Sequence, residues 1–314
     1  MLVIRPGETS DRPCAATIGF FDGVHRGHVH LLRQLKAAAA ERGLGTMAVT
    51  FEHHPRLTLS ADYHPELLTT TDEKLALLEA EGIDACALLR FDDGMAALPA
   101  RDFMDRWLRR RLGVRCLVIG YDHRFGHGRD EGFMQYVAYG RGLGIEVVRA
   151  TALECGGLTV SSSAVRRFLS AGNVEMAKVC LGRPYALTGT VVHGHGVGRS
   201  LGYPTANVRP ACADKAVPAC GVYAVRAGLA PGDGGEPGGE FRAMVNIGNR
   251  PTLNNGTDVT VEAYLLGFSG DLYGRRLTLR FERRLREEQR FPSLDALRRQ
   301  LDADAARTLE MLEP

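Results

Sequence analysis

The feature that most restricts how this 314-residue chain can fold is a change of period near Gly182-Arg183-Pro184. Before it, short apolar runs alternate with helical patterns. Strands are expected over 15–21, 47–51, 86–91, 116–119 and 145–148, and helices over 28–42, 72–80 and around Phe103, Trp107 and Leu108. Such alternation predicts βαβ units, a parallel sheet, and ligands at the C-terminal ends of the strands. Two helical stretches follow, 163–170 and 174–181, and then β-rich runs take over at 191–193, 222–226, 244–247, 259–266 and 277–281. Short strands punctuated by turn residues read as an antiparallel sandwich or a small barrel. The glycine-rich segment 228–240 is expected to be a hairpin tip, because strand patterns flank it closely. A last amphipathic helix is expected over 293–312, with Leu294, Leu297, Leu301, Ala305, Leu309 and Leu312 on its inner side. The chain is therefore read as two domains, 1–183 and 184–314, the first α/β and the second mostly β.

Charge and cysteine usage narrow the partners. Thirty-nine Lys+Arg against 37 Asp+Glu leave a formal charge of +2, which argues against a broad polyanion-binding surface and hence against nucleic acid as partner. No run of about 18 uncharged apolar residues occurs, so no membrane span is expected. The N-terminus lacks the apolar core of a secretion signal. Seven cysteines are scattered, odd in number and without a C-x-x-C, which suits neither a disulfide framework nor a cysteine zinc site. A reduced cytoplasm is the expected location. Oligomeric state leaves no mark in the sequence.

The string Gly19-Phe20-Phe21-Asp22-Gly23-Val24-His25-Arg26-Gly27-His28 lies where the first strand meets the first helix. Gly19, Phe20, Gly23 and Gly27 belong to a turn whose glycines let backbone approach a phosphate, and a helix N-terminus offers amides to an anion. His25 and His28 flank Gly27, so two imidazoles face one phosphate held over that glycine. Donors fixed where charge builds on a transferred phosphate lower the barrier. A zinc site through His25, His28 and His30 is disfavoured, since no cysteine or carboxylate cluster completes it.

A second glycine-rich string runs from Gly194 to Asn207 (GHGVGRSLGYPTAN). Gly194, Gly196 and Gly198 with Arg199 suit a polyphosphate wrapped by backbone amides. Thr205 and Asn207, two apart on an extended stretch, point the same way and offer neutral oxygens to Mg²⁺ or ATP. No G-K-[ST] is present, so this is no Walker loop. Spacing alone would also fit a turn-rich hairpin.

These strings resemble the motifs of the bacterial bifunctional riboflavin kinase/FMN adenylyltransferases, or FAD synthetases. The first is similar to the family's G-x-F-D-G-V-H-x-G-H, and Ser161-Ser162-Ser163-Ala164-Val165-Arg166 to its S-S-T-x-I-R, with Ser163 in place of threonine. Phe51-Glu52-His53-His54-Pro55 resembles F-x-P-H-P, with His53 where proline is usual. The segment from Gly120 to Gly126 resembles G-x-D/N-F-x-F-G, with His123 where phenylalanine is frequent. The 194–207 string resembles the kinase motif G-x-G-R-x-L-G-F/Y-P-T-A-N, and Leu285 to Phe291 resembles L-R-x-E-x-x-F.

The resemblance implies a Rossmann-like H-x-G-H nucleotidyltransferase domain with a parallel sheet. It also implies a mostly antiparallel β-barrel riboflavin kinase domain closed by a C-terminal helix. It assigns His25, His28 and Arg166 to adenylyl transfer, and Ser161, Ser162 and Ser163 to the ATP phosphates. His54, Asp122, Phe125, Arg286 and Phe291 would meet flavin, and Glu262 would be the kinase base. Ala263-Tyr264 departs from the family, which more often has a histidine or equivalent just after that glutamate. Substrates and products would be ATP, riboflavin, FMN and FAD, with Mg²⁺. Two readings stay open beside this one: a chain with one live activity, and a flavin-binding protein without turnover. An RNA-handling synthetase also uses H-x-G-H, but no K-M-S-K-S-like loop follows here.

Overall fold

A computed structural model describes residues 1–60, 65–193, 203–231, 238–251 and 257–313. The chain divides into two compact units, Met1–Ser162 and Ser163–Pro314.

The first unit is built on strands β1 (Leu2–Ile4), β2 (Cys14–Ile18), β3 (Gly45–Phe51), β4 (Ala85–Leu89), β5 (Val114–Ile119) and β6 (Glu146–Arg149). Its helices are α1 (Arg26–Ala40), α2 (Arg56–Leu59), α3 (Thr71–Ala80), α4 (Asp93–Ala96), α5 (Ala100–Phe103) and α6 (Phe133–Leu143). A π-helical stretch, Met104–Arg111, continues α5. The sheet is parallel, in the order β1-β4-β3-β2-β5-β6. All five residues of β2 are buried, as a strand covered on both faces requires. Along β5 the faces alternate. Leu117 and Ile119 pack with Phe103, Met104 and Tyr136, whereas Cys116 and Val118 pack with Leu32, Leu35 and Leu78. From β2 the chain builds outward through β3 and β4, then returns to place β5 on the other side. The strand order therefore reverses between β2 and β5, and ligands of such sheets bind at the C-terminal ends there. Both Gly19–His28 and Gly120–Gly126 follow those two ends.

Besides the four-residue helices α2 and α4, two elements of this unit go beyond the sequence expectation. The edge strand β1 is three residues long and carries too little pattern to register. Helix α6 has glycine inside it, which weakens the helical signal. A Cβ at Gly140 would lie 2.3 Å from the Ile145 carbonyl oxygen, so only glycine lets the chain turn back there into β6.

The second unit begins within α7 (Ser162–Ser170), followed by α8 (Val174–Leu181). Six strands then close a barrel: β7 (Tyr185–Val192), β8 (Ala206–Pro210), β9 (Gly221–Leu229), β10 (Gly239–Pro251), β11 (Thr257–Leu265) and β12 (Arg276–Arg286). Their order is β10-β11-β8-β7-β12-β9, all pairs antiparallel. The open choice between sandwich and barrel resolves as a barrel. The hairpin expected over 228–240 is the β9–β10 connection, and that pairing closes the ring. Strand β7 alternates buried and half-buried residues throughout. Tyr223 meets the Phe281 ring edge-on at 5.4 Å, while its neighbours Val222 and Ala224 face the other way and pack with Leu285 and Leu312.

The terminal helix α9 (Leu294–Met311) forms as expected, but its inner face differs. Leu294 is 64% and Leu309 40% exposed, whereas Asp304 and Thr308 are buried. The cause is Arg286 on β12, whose Nη2 lies 2.8 Å from the Asp304 carboxylate. Leaving that guanidinium without a carboxylate among half-buried neighbours would be costly, so the helix turns Asp304 inward.

Candidate active sites

Strand β2 stops at Ile18, three residues earlier than the apolar run suggests, because the chain enters a tight turn. Phe21, Gly23 and Val24 have φ of 54°, 80° and 35°. Only glycine takes such angles freely; Phe21 and Val24 each cost of order 1–3 kcal/mol, which the surroundings must offset. They do so in two ways. Phe21 and Val24 are sealed in the core against α1. The buried Asp22 carboxylate accepts from the Leu68 and Thr69 amides at 3.0 Å and from the Thr69 hydroxyl at 3.1 Å.

This turn delivers His25 to the N-cap of α1. Its Nδ1 accepts from the His28 amide at 3.3 Å, and the two imidazoles stack at 3.6 Å with 15° between planes. Helix α1 thus starts at Arg26, not at His28, and His28 occupies its first turn. A Cβ on Gly27 would come within 3.1 Å of the His25 ring, so the glycine between the histidines is a packing requirement of the pair. Amides of a first helical turn have no intrahelical acceptor and favour an anion. Ser162 donates from Oγ to the Asp22 carbonyl at 2.9 Å, which ties Ser162 to the same turn. Ser161 immediately precedes α7, and Ser163 and Arg166 lie on it.

Beside the turn is a cavity of about 540 Å³ lined by Phe20, Phe51, His54, Phe91, Phe103 and Phe125, among others. His54 and Phe125, both read from the sequence, therefore line the same cavity. His54 meets Phe20 edge-on at 4.6 Å, and its Nδ1 accepts from the Arg56 amide at 3.1 Å. Phe125 stacks on Tyr136 at 4.2 Å, and the Tyr136 hydroxyl donates to the Phe125 carbonyl. Asp122 is exposed and does not line the cavity. The sequence reading missed Arg56, Arg124 and Arg129, which do line it. Arg124 lies inside the 120–126 string and Arg56 directly follows the 51–55 one, so this proximity was the only signal.

His123 lines the same cavity, with its Nε2 shielded from solvent and without a hydrogen-bond partner among the described residues. Burial, aided by the Arg129 charge, lowers its pKa to about 4, so the imidazole is neutral near pH 7. An unfolded histidine titrates near 6.5, so between about 4 and 6.5 the unfolded chain binds the extra proton and stability falls as pH falls. His123→Phe should remove that component. Urea midpoints measured from pH 7 down to 4 should show the variant gaining on the parent as acidity rises; parallel curves would refute the assignment.

In the barrel, Glu262 on β11 stands directly opposite Asn207 on β8 and Asn246 on β10. Opposed residues share a face of the sheet, so an amide flanks the carboxylate on each side. The Thr205 hydroxyl donates to Glu262 Oε2 at 3.3 Å. Thr205, Asn246, Glu262, Arg286 and Phe291 line a cavity of about 350 Å³, together with Tyr203, Tyr264 and Glu288. Asn207 is not among its lining residues. Arg286 is fixed by Asp304, and its guanidinium lies 5.6 Å from the centre of the Phe291 ring. Asn246, Tyr203 and Glu288 were not singled out from sequence, although Tyr203 and Glu288 sit inside the 194–207 and 285–291 strings. Gly194, Gly196, Gly198 and Arg199 fall outside the described residues.

Comparison with known proteins agrees with both halves. The FAD synthetase family model matches residues 7–164 and the riboflavin kinase model residues 181–312. A bifunctional riboflavin kinase/FMN adenylyltransferase of Pseudomonas fluorescens is 40% identical over 305 residues, covering 96% of this chain and 94% of the relative. The protein of the same description from Escherichia coli strain K12 is 40% identical over 291 residues, covering 93% and 90%. Among solved structures, a Streptococcus pneumoniae protein described as a macrolide-efflux protein superposes with a TM-score of 0.88 at 29% identity, covering 98% of this chain and 99% of its own. Among the described residues of the present chain, no helix is long and apolar enough to cross a membrane. With matches to both modules in order and 40% identity along nearly its whole length, the chain belongs to the family of bifunctional riboflavin kinase/FMN adenylyltransferases.

Proposed function

We propose that the barrel unit phosphorylates riboflavin with ATP, giving FMN and ADP, and that the parallel-sheet unit transfers AMP from a second ATP to FMN, giving FAD and pyrophosphate. The observation that carries this reading is the stacked His25–His28 pair on a helix N-terminus, set beside an aromatic cavity that also holds three arginines. Aromatic walls suit a flat isoalloxazine ring, and Arg56, Arg124 and Arg129 suit a phosphate. That combination favours FMN over uncharged riboflavin as the acceptor in this unit.

In adenylyl transfer, His25 and His28 hold the α-phosphate as its charge grows, and the turn at Gly19, Phe20, Gly23 and Gly27 lets the nucleotide approach. Ser161, Ser162, Ser163 and Arg166 take roles at the ATP phosphates on the strength of their motif. His54 and Phe125 belong to the flavin wall, and Asp122 is assigned there on its motif alone. In the kinase, Glu262 takes the proton of the riboflavin 5′-hydroxyl, while Arg286 and Phe291 bound the flavin side.

The donor set near Glu262 fits Mg²⁺: a threonine hydroxyl, an asparagine amide oxygen and a carboxylate are hard oxygen ligands. No group of three His, Cys, Asp or Glu capable of holding a metal occurs among the described residues, so such an ion would share its ligands with phosphate. Thr205 and Asn207 would hold it, and it would offset phosphate charge. Gly194, Gly196, Gly198 and Arg199 are assigned to the ATP polyphosphate on their motif.

We divide the activities at residues 1–183 and 184–314. Supporting this, Gly182 ends α8 in a left-handed conformation and β7 starts at Tyr185. Seven unbridged cysteines suit the cytoplasm, where ATP is abundant. The deciding experiment is incubation with riboflavin and MgATP, then separation of the flavins. FMN followed by FAD is expected. FMN alone would leave one live activity, and neither product would leave a flavin-binding protein.

A further inference from the structure

We propose that Lys74 is a positioning residue for adenylyl transfer, its ammonium clamping the C-terminal ends of β2 and β3 so that Phe20 and the turn carrying His25 and His28 are held in place. The inference rests on reading the parallel-sheet unit as the FMN adenylyltransferase.

Lys74 sits on α3, whose start is fixed by a reciprocal cap between Thr70 and Glu73. Its side chain is buried, yet the Nζ is fully engaged. It donates to the Phe51 carbonyl at 3.0 Å, to the Thr50 hydroxyl oxygen at 3.1 Å and to the Phe20 carbonyl at 3.3 Å. The Thr50 hydroxyl donates in turn to the Phe20 carbonyl at 3.0 Å. An ammonium has three protons, and all three are placed. The acceptors lie at and beyond the ends of parallel strands, where the ladder leaves carbonyls in need of a donor. Phe20 and Phe51 both line the cavity proposed for flavin. The Nζ lies 4.3 Å from the centre of the Phe20 ring, and the same ring packs edge-on against His54. One amine thus fixes two walls of the cavity and the start of the histidine turn.

The clamp needs the charge. A neutral amine has two protons for the same three acceptors. Burial lowers the Lys74 pKa to about 8, opposed by Cys86 and by Asp22. Those two are the ionisable groups that face it, from β4 and from the turn after β2. The Cys86 thiol is itself pushed up to about 12 by burial, and among the described residues β3 contributes Thr50 and Phe51 at this point. FAD formation should therefore decline as pH rises through about 8, reaching about a tenfold loss one unit higher, while riboflavin phosphorylation keeps its own profile.

The test is the initial rate of FAD formation from supplied FMN and MgATP between pH 6.5 and 10, with riboflavin phosphorylation by the same full-length chain as reference. Lys74→Met should cut kcat at pH 7 at least tenfold and show no limb near pH 8. Lys74→Arg, which keeps its charge, should move the limb above pH 9 whatever its absolute rate. Wild-type kcat in Lys74→Met, or an unmoved limb in Lys74→Arg, overturns the inference. If circular dichroism shows both variants unfolded, the ε-carbon NMR titration of Lys74 in the parent chain decides: a midpoint away from the kinetic limb overturns it. Absence of FAD formation by the parent chain at every pH would instead overturn the adenylyltransferase reading itself.

Discussion

His28→Ala should abolish FAD formation from supplied FMN while riboflavin is still converted to FMN. The imidazole sits in the first turn of α1, stacked on the His25 ring that caps that helix, so both its position and its orientation are set before ATP arrives. A donor held in advance where charge develops is worth about 10²–10³ in kcat, because water would have to reorganise to do the same. Loss of the stacked partner also frees the His25 ring, which pushes the expected effect toward the upper end. Product chromatography with riboflavin and MgATP should show FMN accumulating as the end product. Because the kinase occupies another unit of the chain, its persistence reports only that this unit is intact, and circular dichroism checks the fold of the unit that carries His28. Equal loss of both products would defeat the assignment of two separate sites.

Glu262→Gln should give the reverse pattern. Glutamine keeps the length of the side chain, its place between Asn207 and Asn246, and an oxygen to accept from Thr205. What it loses is basicity, and a positioned general base contributes about 10²–10⁴ in rate. FMN formation from riboflavin should fall by that order, while supplied FMN is adenylylated at the parent rate. Unchanged riboflavin phosphorylation would remove Glu262 as the base.

Much of each site was legible because motif and local geometry coincide. The H-x-G-H spacing places a capping imidazole, a glycine and a first-turn imidazole in sequence, and the fold uses them in that order. His54 and Phe125 line one cavity, and Glu262, Arg286 and Phe291 line the other. Where expectation and structure part, a non-local contact is responsible. The apolar run 15–21 reads as strand throughout, but Asp22 and its partners at Leu68 and Thr69 bend its end into left-handed conformations. The leucine stripe of the last helix includes Leu294 and Leu309, yet the Arg286–Asp304 pair rotates the helix away from that solution. Nothing within several residues of Lys74 announces a buried role.

Period in the chain was enough to establish two architectures, a parallel sheet and then a β-rich unit, and spacing marked the His25–His28 turn as a phosphate candidate, whereas the 194–207 string was read as one through its resemblance. These properties are carried by residues within a few positions of one another, where periodicity and turn chemistry act. Closure of the barrel through β9 and β10, the neighbours of Glu262, and the meeting of Lys74 with Phe20 across 54 positions were not legible in the same way. They depend on strand order and register, which bring distant residues together only when the core packs. A local pattern does not encode its partner's address, and for that reason the cavity walls and the clamp behind them became visible only in three dimensions.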